Sequence, residues 1–162
     1  MTATPADQIV IPALLRAARG AYSGAIRSRL AAAGIDDMPR NGPFVLGGMA
    51  NRGGTAGDLI RQLGVSRQAA SQLVDTLVLR GYLQRQPDPD DRRRVSLALT
   101  DRGRLAAESV REGVESVDAE LASRISAAQL KGMRAGLIAL IEIREEAEEA
   151  SLSRSATKAP SA

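Results

Sequence analysis

Apolar positions step through most of this chain at intervals of three and four residues, the period of helices with one buried face. The first helix is predicted from about Asp7 to Ala33, with Ile11, Leu14, Leu15, Ala18, Tyr22, Ala25, Ile26, Arg29 and Leu30 on the recurring face. Gly20 and Gly24 weaken it or admit a close neighbour, and Gly34 with the segment from Asp36 to Pro43 ends it in a loop. Phe44, Val45, Leu46 and Met49 then predict a short apolar helix, stopped at Asn51-Arg52-Gly53-Gly54.

Thr55 and Asp58 have the spacing of an N-cap and its returning acid, which predicts a helix from Ala56 to Leu63 burying Leu59, Ile60 and Leu63. Gly64-Val65 supplies a turn and Ser66 caps the next helix. That helix points Ala69, Ala70, Leu73, Val74, Leu77 and Val78 inward and Arg67, Gln68, Ser71, Gln72 and Asp75 outward, and Gly81 ends it. Two short helices joined by a glycine turn form the helix-turn-helix pattern, whose second helix enters the major groove of DNA.

From Tyr82 to Gln86 and again from Arg94 to Leu99 the period falls to two, with Val95, Leu97 and Leu99 alternating against Arg94, Ser96 and Ala98. Between them Asp88-Pro89-Asp90-Asp91 sets a turn followed by Arg92, Arg93 and Arg94, so the segment reads as a charged β-hairpin. Guanidinium groups held on a short ribbon reach the negative potential of a narrow minor groove and bond phosphates.

Thr100 caps a further helix, in which Val110, Val114, Val117 and Leu121 form a seven-residue seam. Ser126 and Gln129 make a capping box for the last helix, whose seam is Leu130, Met133, Leu137, Leu140 and Arg144. From Ser151 the chain is rich in Ser and Ala, and disorder is expected over 151–162. The expected organisation is a dimerisation helix over 1–35, a DNA-binding domain over 36–104, dimerisation helices over 105–150 and the tail.

Composition narrows the chemistry. The 162 residues are 44% apolar and 25% charged and contain neither cysteine nor histidine. This removes disulfides, thiolate sites, and the commonest general base and metal ligand. No pair of acids has the spacing of a catalytic dyad, so no enzyme and no cofactor are expected. The net charge is only +3, yet 20 of the 22 basic residues are arginine and nine of them fall between Arg61 and Arg104. Glu142, Glu145, Glu146, Glu148 and Glu149 crowd the far end against Arg144. A basic middle beside an acidic end suits a polyanionic partner. No apolar run is long enough for a membrane span and no signal-like N-terminus is present, so a cytoplasmic location is expected.

With its capped helix pair, Gly81-Tyr82, Asp88-Pro89-Asp90-Asp91-Arg92-Arg93 and Leu97-Ala98-Leu99-Thr100-Asp101-Arg102-Gly103, the chain resembles the MarR family of winged-helix transcription factors. The likeness lies in motif over roughly Gly42 to Arg104. It implies a mainly α fold with a small β wing, intertwined as a homodimer through the N- and C-terminal helices. It also implies that Arg93 enters the minor groove, oriented by Asp91, with Arg92 and Arg94 alongside. Ser66, Arg67, Gln68, Ser71 and Gln72 would then face the major groove; many relatives carry Arg where this chain has Gln72.

The expected function is that of a sequence-specific regulator of a near-palindromic operator, a repressor released by a small aromatic or phenolic effector. Arg16, Tyr22, Phe44 and Arg52 are the candidate effector contacts. A non-specific architectural DNA-binding protein is the alternative, distinguished by its low preference among duplexes. Single-strand binding is disfavoured, because Tyr22, Phe44 and Tyr82 are the only aromatics.

Overall fold

The computed structural model describes residues 8–52, 56–87 and 95–157. Its elements are α1 (Ile11–Ala32), α2 (Gly42–Arg52), α3 (Ala56–Gln62), α4 (Arg67–Leu79), β1 (Leu83–Pro87), β2 (Val95–Leu99), α5 (Asp101–Arg124) and α6 (Ala127–Thr157). They form two compact units, Met1–Asp118 and Ala119–Ala162. The mainly helical fold with a two-stranded β wing is the one the sequence predicts.

In the first unit Leu30 of α1, Val45 and Leu46 of α2, Ala56 and Ile60 of α3, and Leu77 of α4 share one core with Tyr82, Leu83, Ala106, Ala107 and Val110. The helix-turn-helix is therefore built onto α1 and α5 and does not stand apart from them. Gly113 of α5 lies so near α1 that a Cβ there would come within 2.8 Å of the Ile26 Cα, so this glycine sets the approach of the two helices. Gly20 and Gly24, the glycines expected to admit a neighbour, face open space instead.

Helix ends follow the chemistry of their sequences. α1 starts at Ile11, later than expected, because Pro12 occupies its first turn, where a missing N–H costs nothing. It ends in a Schellman motif: Gly34, at φ 72°, donates to Ala31 O and Ile35 donates to Leu30 O. α4 ends identically, with Gly81 at φ 71° donating to Val78 O and Tyr82 to Leu77 O. In both, the apolar pair that closes the motif, Ile35 with Leu30 and Tyr82 with Leu77, is buried. Tyr82 is thus part of the helix stop, and the strand begins one residue later than predicted.

The wing pairs β1 with β2 antiparallel, Leu83 opposite Leu99, Arg85 opposite Leu97 and Pro87 opposite Val95. Half-burial of β2 holds only near its root. Leu97 and Leu99 pack on the core, whereas Val95 is 70% exposed, since a two-stranded ribbon outruns the layer beneath it. On α4, Ala69 is exposed, against expectation, while Ala70, Leu73, Val74, Leu77 and Val78 turn inward.

In the second unit the capping box forms as read. Ser126 N donates to Gln129 Oε1 at 2.9 Å and Gln129 N to Ser126 Oγ at 3.3 Å. α6 then continues to Thr157, so residues 151–157 are helical where the composition predicts disorder. Alanine, leucine and arginine favour helix strongly enough to carry an established helix through scattered serines. Thr55, the other predicted cap, lies outside the described residues.

Gly103 is the least replaceable glycine of the fold. A Cβ on it would lie 2.0 Å from the carbonyl oxygen of Tyr82, and that oxygen is fixed by the N–H of Thr100 at 3.1 Å and its hydroxyl at 3.2 Å. Gly103→Ala is expected to destabilise the protein by about 3 kcal/mol, at the upper end for overpacking. The shift of the urea midpoint measures it, and a midpoint equal to the parent's would contradict this packing.

Candidate nucleic-acid interface

The turn between α3 and α4 is made by Gly64, at φ 63°, and Val65. Ser66, in extended backbone, then accepts the N–H of Ala69 at 3.2 Å. This cap fixes where α4 begins and so which side chains it presents. Arg67, Gln68, Ser71 and Gln72 are all exposed on the described surface. They offer a guanidinium, two amides and a hydroxyl, the groups that bond base edges and phosphates in a major groove. Ser66 is exposed too, but its hydroxyl is engaged by the cap, which gives it a structural duty whatever else it touches.

Below this face α4 is tied to the wing. Arg85 of β1 donates to Asp75 Oδ1 at 2.7 Å. A shallow concavity of about 650 Å³ lies beside the pair, lined by Gln72, Asp75, Thr76, Val78, Leu79 and Arg85. Both partners are more than half exposed, so the pair adds little stability. Its effect is to hold one wing cation toward the reading helix. Sequence inspection placed Arg85 in the basic cluster without foreseeing this bond, because the partners come from different elements.

A second junction stands at the root of the wing. Tyr82, wholly buried, donates its hydroxyl to Asp37 Oδ1, in the segment between α1 and α2. The Arg102 guanidinium, in the first turn of α5, stacks 4.5 Å from the Tyr82 ring centroid and reaches the same Oδ1 at 3.0 Å. Arg102 also donates to the carbonyl of Arg80, and Arg80 to the carbonyl of Asp37. The hydrogen bond from Tyr82, aided by Arg102 and Arg80, holds the Asp37 carboxyl below its ordinary range. Burial first, and the bond to Asp37 second, push the Tyr82 phenol up to about 12. None of these residues was singled out as functional from sequence. Asp37 and Arg102 are 65 positions apart, and no local pattern joins them.

The wing residues Asp91, Arg92, Arg93 and Arg94 lie outside the described residues, as does the Arg52 side chain. Of the other candidate effector contacts, Arg16 is exposed on α1 and Phe44, on α2, is 44% exposed. Tyr22 is half-buried, and its hydroxyl donates to Asp118 Oδ1 of α5 at 2.6 Å. The concavity beside α4 includes none of the four.

Residues 37–94 match the profile of the MarR family. Over 93 residues the chain is 30% identical to the uncharacterized protein Rv2011c of Mycobacterium tuberculosis, a match covering 57% of this chain and 65% of that protein. The fold matches S. aureus MepR bound to DNA at a TM-score of 0.65, with 20% identity over 83% of this chain and 98% of that one. MepR bound to ethidium bromide aligns at 0.53, also at 20% identity, over 85% and 98%. The transcriptional regulator Tm0710 of Thermotoga maritima aligns at 0.50 with 26% identity, over 85% and 96%.

The linkage at Tyr82 has a definite sign. Its folded pKa stands above the unfolded value of 10.0, at about 12, so its contribution to stability is complete below pH 10 and is lost as the pH rises toward 12. Asp37 acts oppositely, contributing above its unfolded value of 3.8 and losing that contribution as the pH falls through its lowered folded value. Thermal unfolding should show the parent losing more stability than Tyr82→Phe between about pH 10 and 12. Equal slopes would mean that the phenol is not held as described.

Proposed function

We propose that this chain, whose residues 37–94 match the profile of the MarR family, is a sequence-specific regulator of transcription that binds double-stranded DNA as a homodimer. The observation that carries this reading is the exposed row Arg67, Gln68, Ser71 and Gln72 on a helix whose start is fixed by the Ser66 cap. In this reading Arg93 enters the minor groove, oriented by Asp91, while Arg92 and Arg94 bind phosphate. The fold likeness to MepR, which has been captured on DNA, supports the same use of these elements.

The dimer rests on apolar surface. Ile11, Leu14 and Leu15 of α1 are exposed, and so are Met133, Leu137, Ile138, Leu140, Ile141 and Ile143 of α6. A soluble chain rarely leaves so many large apolar residues uncovered, and a second copy covers them symmetrically. This supports the division into a DNA-binding domain over 36–104 with dimerisation helices on either side. The regulator acts as a repressor in the cytoplasm and is released by a small aromatic or phenolic effector contacting Arg16, Tyr22, Phe44 and Arg52. The ethidium complex of MepR supports an aromatic ligand. No described helix is long and apolar enough to cross a membrane.

Selection from a random duplex pool should enrich a near-palindrome with half-sites about ten base pairs, or roughly 34 Å, apart. Uniform retention of the pool would indicate an architectural binder instead. On the selected duplex, Arg93→Ala should cost about 1 to 3 kcal/mol, whereas Arg92→Ala and Arg94→Ala should each lower the salt slope by about 0.9. Gln72→Ala should change which bases are preferred and leave the slope alone.

Light scattering at micromolar concentration should give a dimer for the parent. Leu137→Glu should shift it toward monomer, because a carboxylate at a buried seam has no partner. A parent that is a folded monomer at that concentration refutes the dimer.

A further inference from the structure

We infer that Asp37 is a positioning residue for DNA binding: its carboxylate fixes the end of the reading helix and the root of the wing as one body. The inference rests on the DNA-binding role proposed above and adds to it a residue that lies on neither the reading helix nor the wing.

Two stretches of chain converge on Asp37. Tyr82 comes from the three residues between α4 and β1, and its hydroxyl donates to the carboxylate. Arg102 comes from the first turn of α5 and bonds the same oxygen at 3.0 Å. Arg80, the C-cap of α4, donates to the Asp37 carbonyl and accepts from Arg102 through its own. Asp37 itself belongs to the segment that follows α1. The ring is closed: removing the carboxylate releases the Tyr82 hydroxyl and one arm of Arg102 together. Arg102 then keeps its stacking on the ring and its bond to the Arg80 carbonyl but loses its tie to the segment after α1, at the point where the wing leaves the core.

The site is poorly placed to serve stability and well placed to serve orientation. The Asp37 and Arg102 side chains are 36% and 41% exposed, and ion pairs that open to water contribute little to folding. The stability of the unit lies beneath them, in Leu77, Tyr82, Leu83, Val45 and Leu46, the largest side chains fully removed from water. Beyond its root the wing has little such support: Gln84, Arg85, Gln86 and Pro87 are all exposed, β2 meets the core through Leu97 and Leu99, and the Arg85–Asp75 pair is open to water. Its direction is therefore set at its base. A small rotation there is amplified along the ribbon, and a groove contact made from it depends on fixed geometry.

Charge and position make opposite predictions. Removing a carboxylate from a DNA-binding protein should, by charge alone, tighten binding to every duplex. If Asp37 positions the wing, Asp37→Asn should instead weaken binding to the duplex selected with the parent, by roughly tenfold as for a lost charged hydrogen bond, and leave scrambled duplex unchanged or tighter. Tyr82→Phe removes one oxygen and keeps the ring, so it should weaken the selected duplex in the same direction. The double variant should bind no worse than the weaker single, because both changes open one ring. Affinities are measured well below the melting temperature of each variant, where loss of stability does not reduce the folded fraction. Asp37→Asn binding the selected duplex as tightly as the parent, or additive losses in the double variant, overturns the inference while leaving the regulator reading intact. Should the parent enrich no sequence from the pool, the regulator reading falls and this inference falls with it. If Asp37→Asn does not fold, the carboxylate is structural and the positioning role is rejected, and Tyr82→Phe, bound to the selected duplex like the parent, would reject it independently.

Discussion

The backbone of Tyr82 is the point on which the winged-helix unit turns. Its N–H closes the Schellman motif on Leu77 and so ends α4. Its carbonyl takes the N–H and hydroxyl of Thr100 and faces Gly103, where a Cβ has no room. The Thr100 hydroxyl in turn accepts the N–H of Gly103 at 3.0 Å, capping α5. The two peptide groups of one residue thus terminate α4, start the wing and seat the next helix. Gly81-Tyr82 and Leu99-Thr100-Asp101-Arg102-Gly103 are thus the two sides of a single joint.

This arrangement separates what keeps the protein folded from what it shows to a partner. Core packing depends on close-fitted apolar residues, where a misplaced methyl group is felt at once. The presented groups, Arg67, Gln68, Ser71, Gln72 and Arg85, make few contacts with the rest of the protein and derive their placement from helix caps and from the joint. Such surfaces can change in residue type without threatening the fold. That is consistent with a chain whose fold is shared with solved structures only 20% identical to it.

Much of this was legible from the sequence because its determinants are local. The helix-turn-helix is legible in Gly64, Ser66 and the inward stripe that ends at Val78, and each is used as read except Ala69, which is exposed. The capping box of Ser126 and Gln129 needs only four consecutive residues and forms as expected. The reading failed where a residue's environment is decided by distant chain. Val95 has the alternation of a half-buried strand, yet nothing reaches it. Gly113 gave no local signal, although it sets the distance between α1 and α5. Asp37 reads as a loop former, and its partners are three residues far along the chain, Arg80 and Tyr82 between α4 and β1 and Arg102 in α5. The start of α1 was misplaced because the apolar stripe was weighed above Pro12.

The long last helix has more length than its local interactions can stabilise. α6 has 31 residues, and none of those whose exposure is described is buried. Propensity and side-chain pairs such as Arg144 with Glu148, at 3.5 Å, give a helix only tenths of a kcal/mol each. In proteins most helical stability comes from burying an apolar face. The face is present in Met133, Leu137, Leu140 and Ile141, and its spacing is that of a seam. A helix that presents its apolar residues in this way gains from a cover for them, and the two-fold copy proposed above would supply one with matching residues on both sides. The same copy would present two reading helices together. On this view dimerisation is the condition under which α6 is stable, and the symmetry of the proposed operator follows from it.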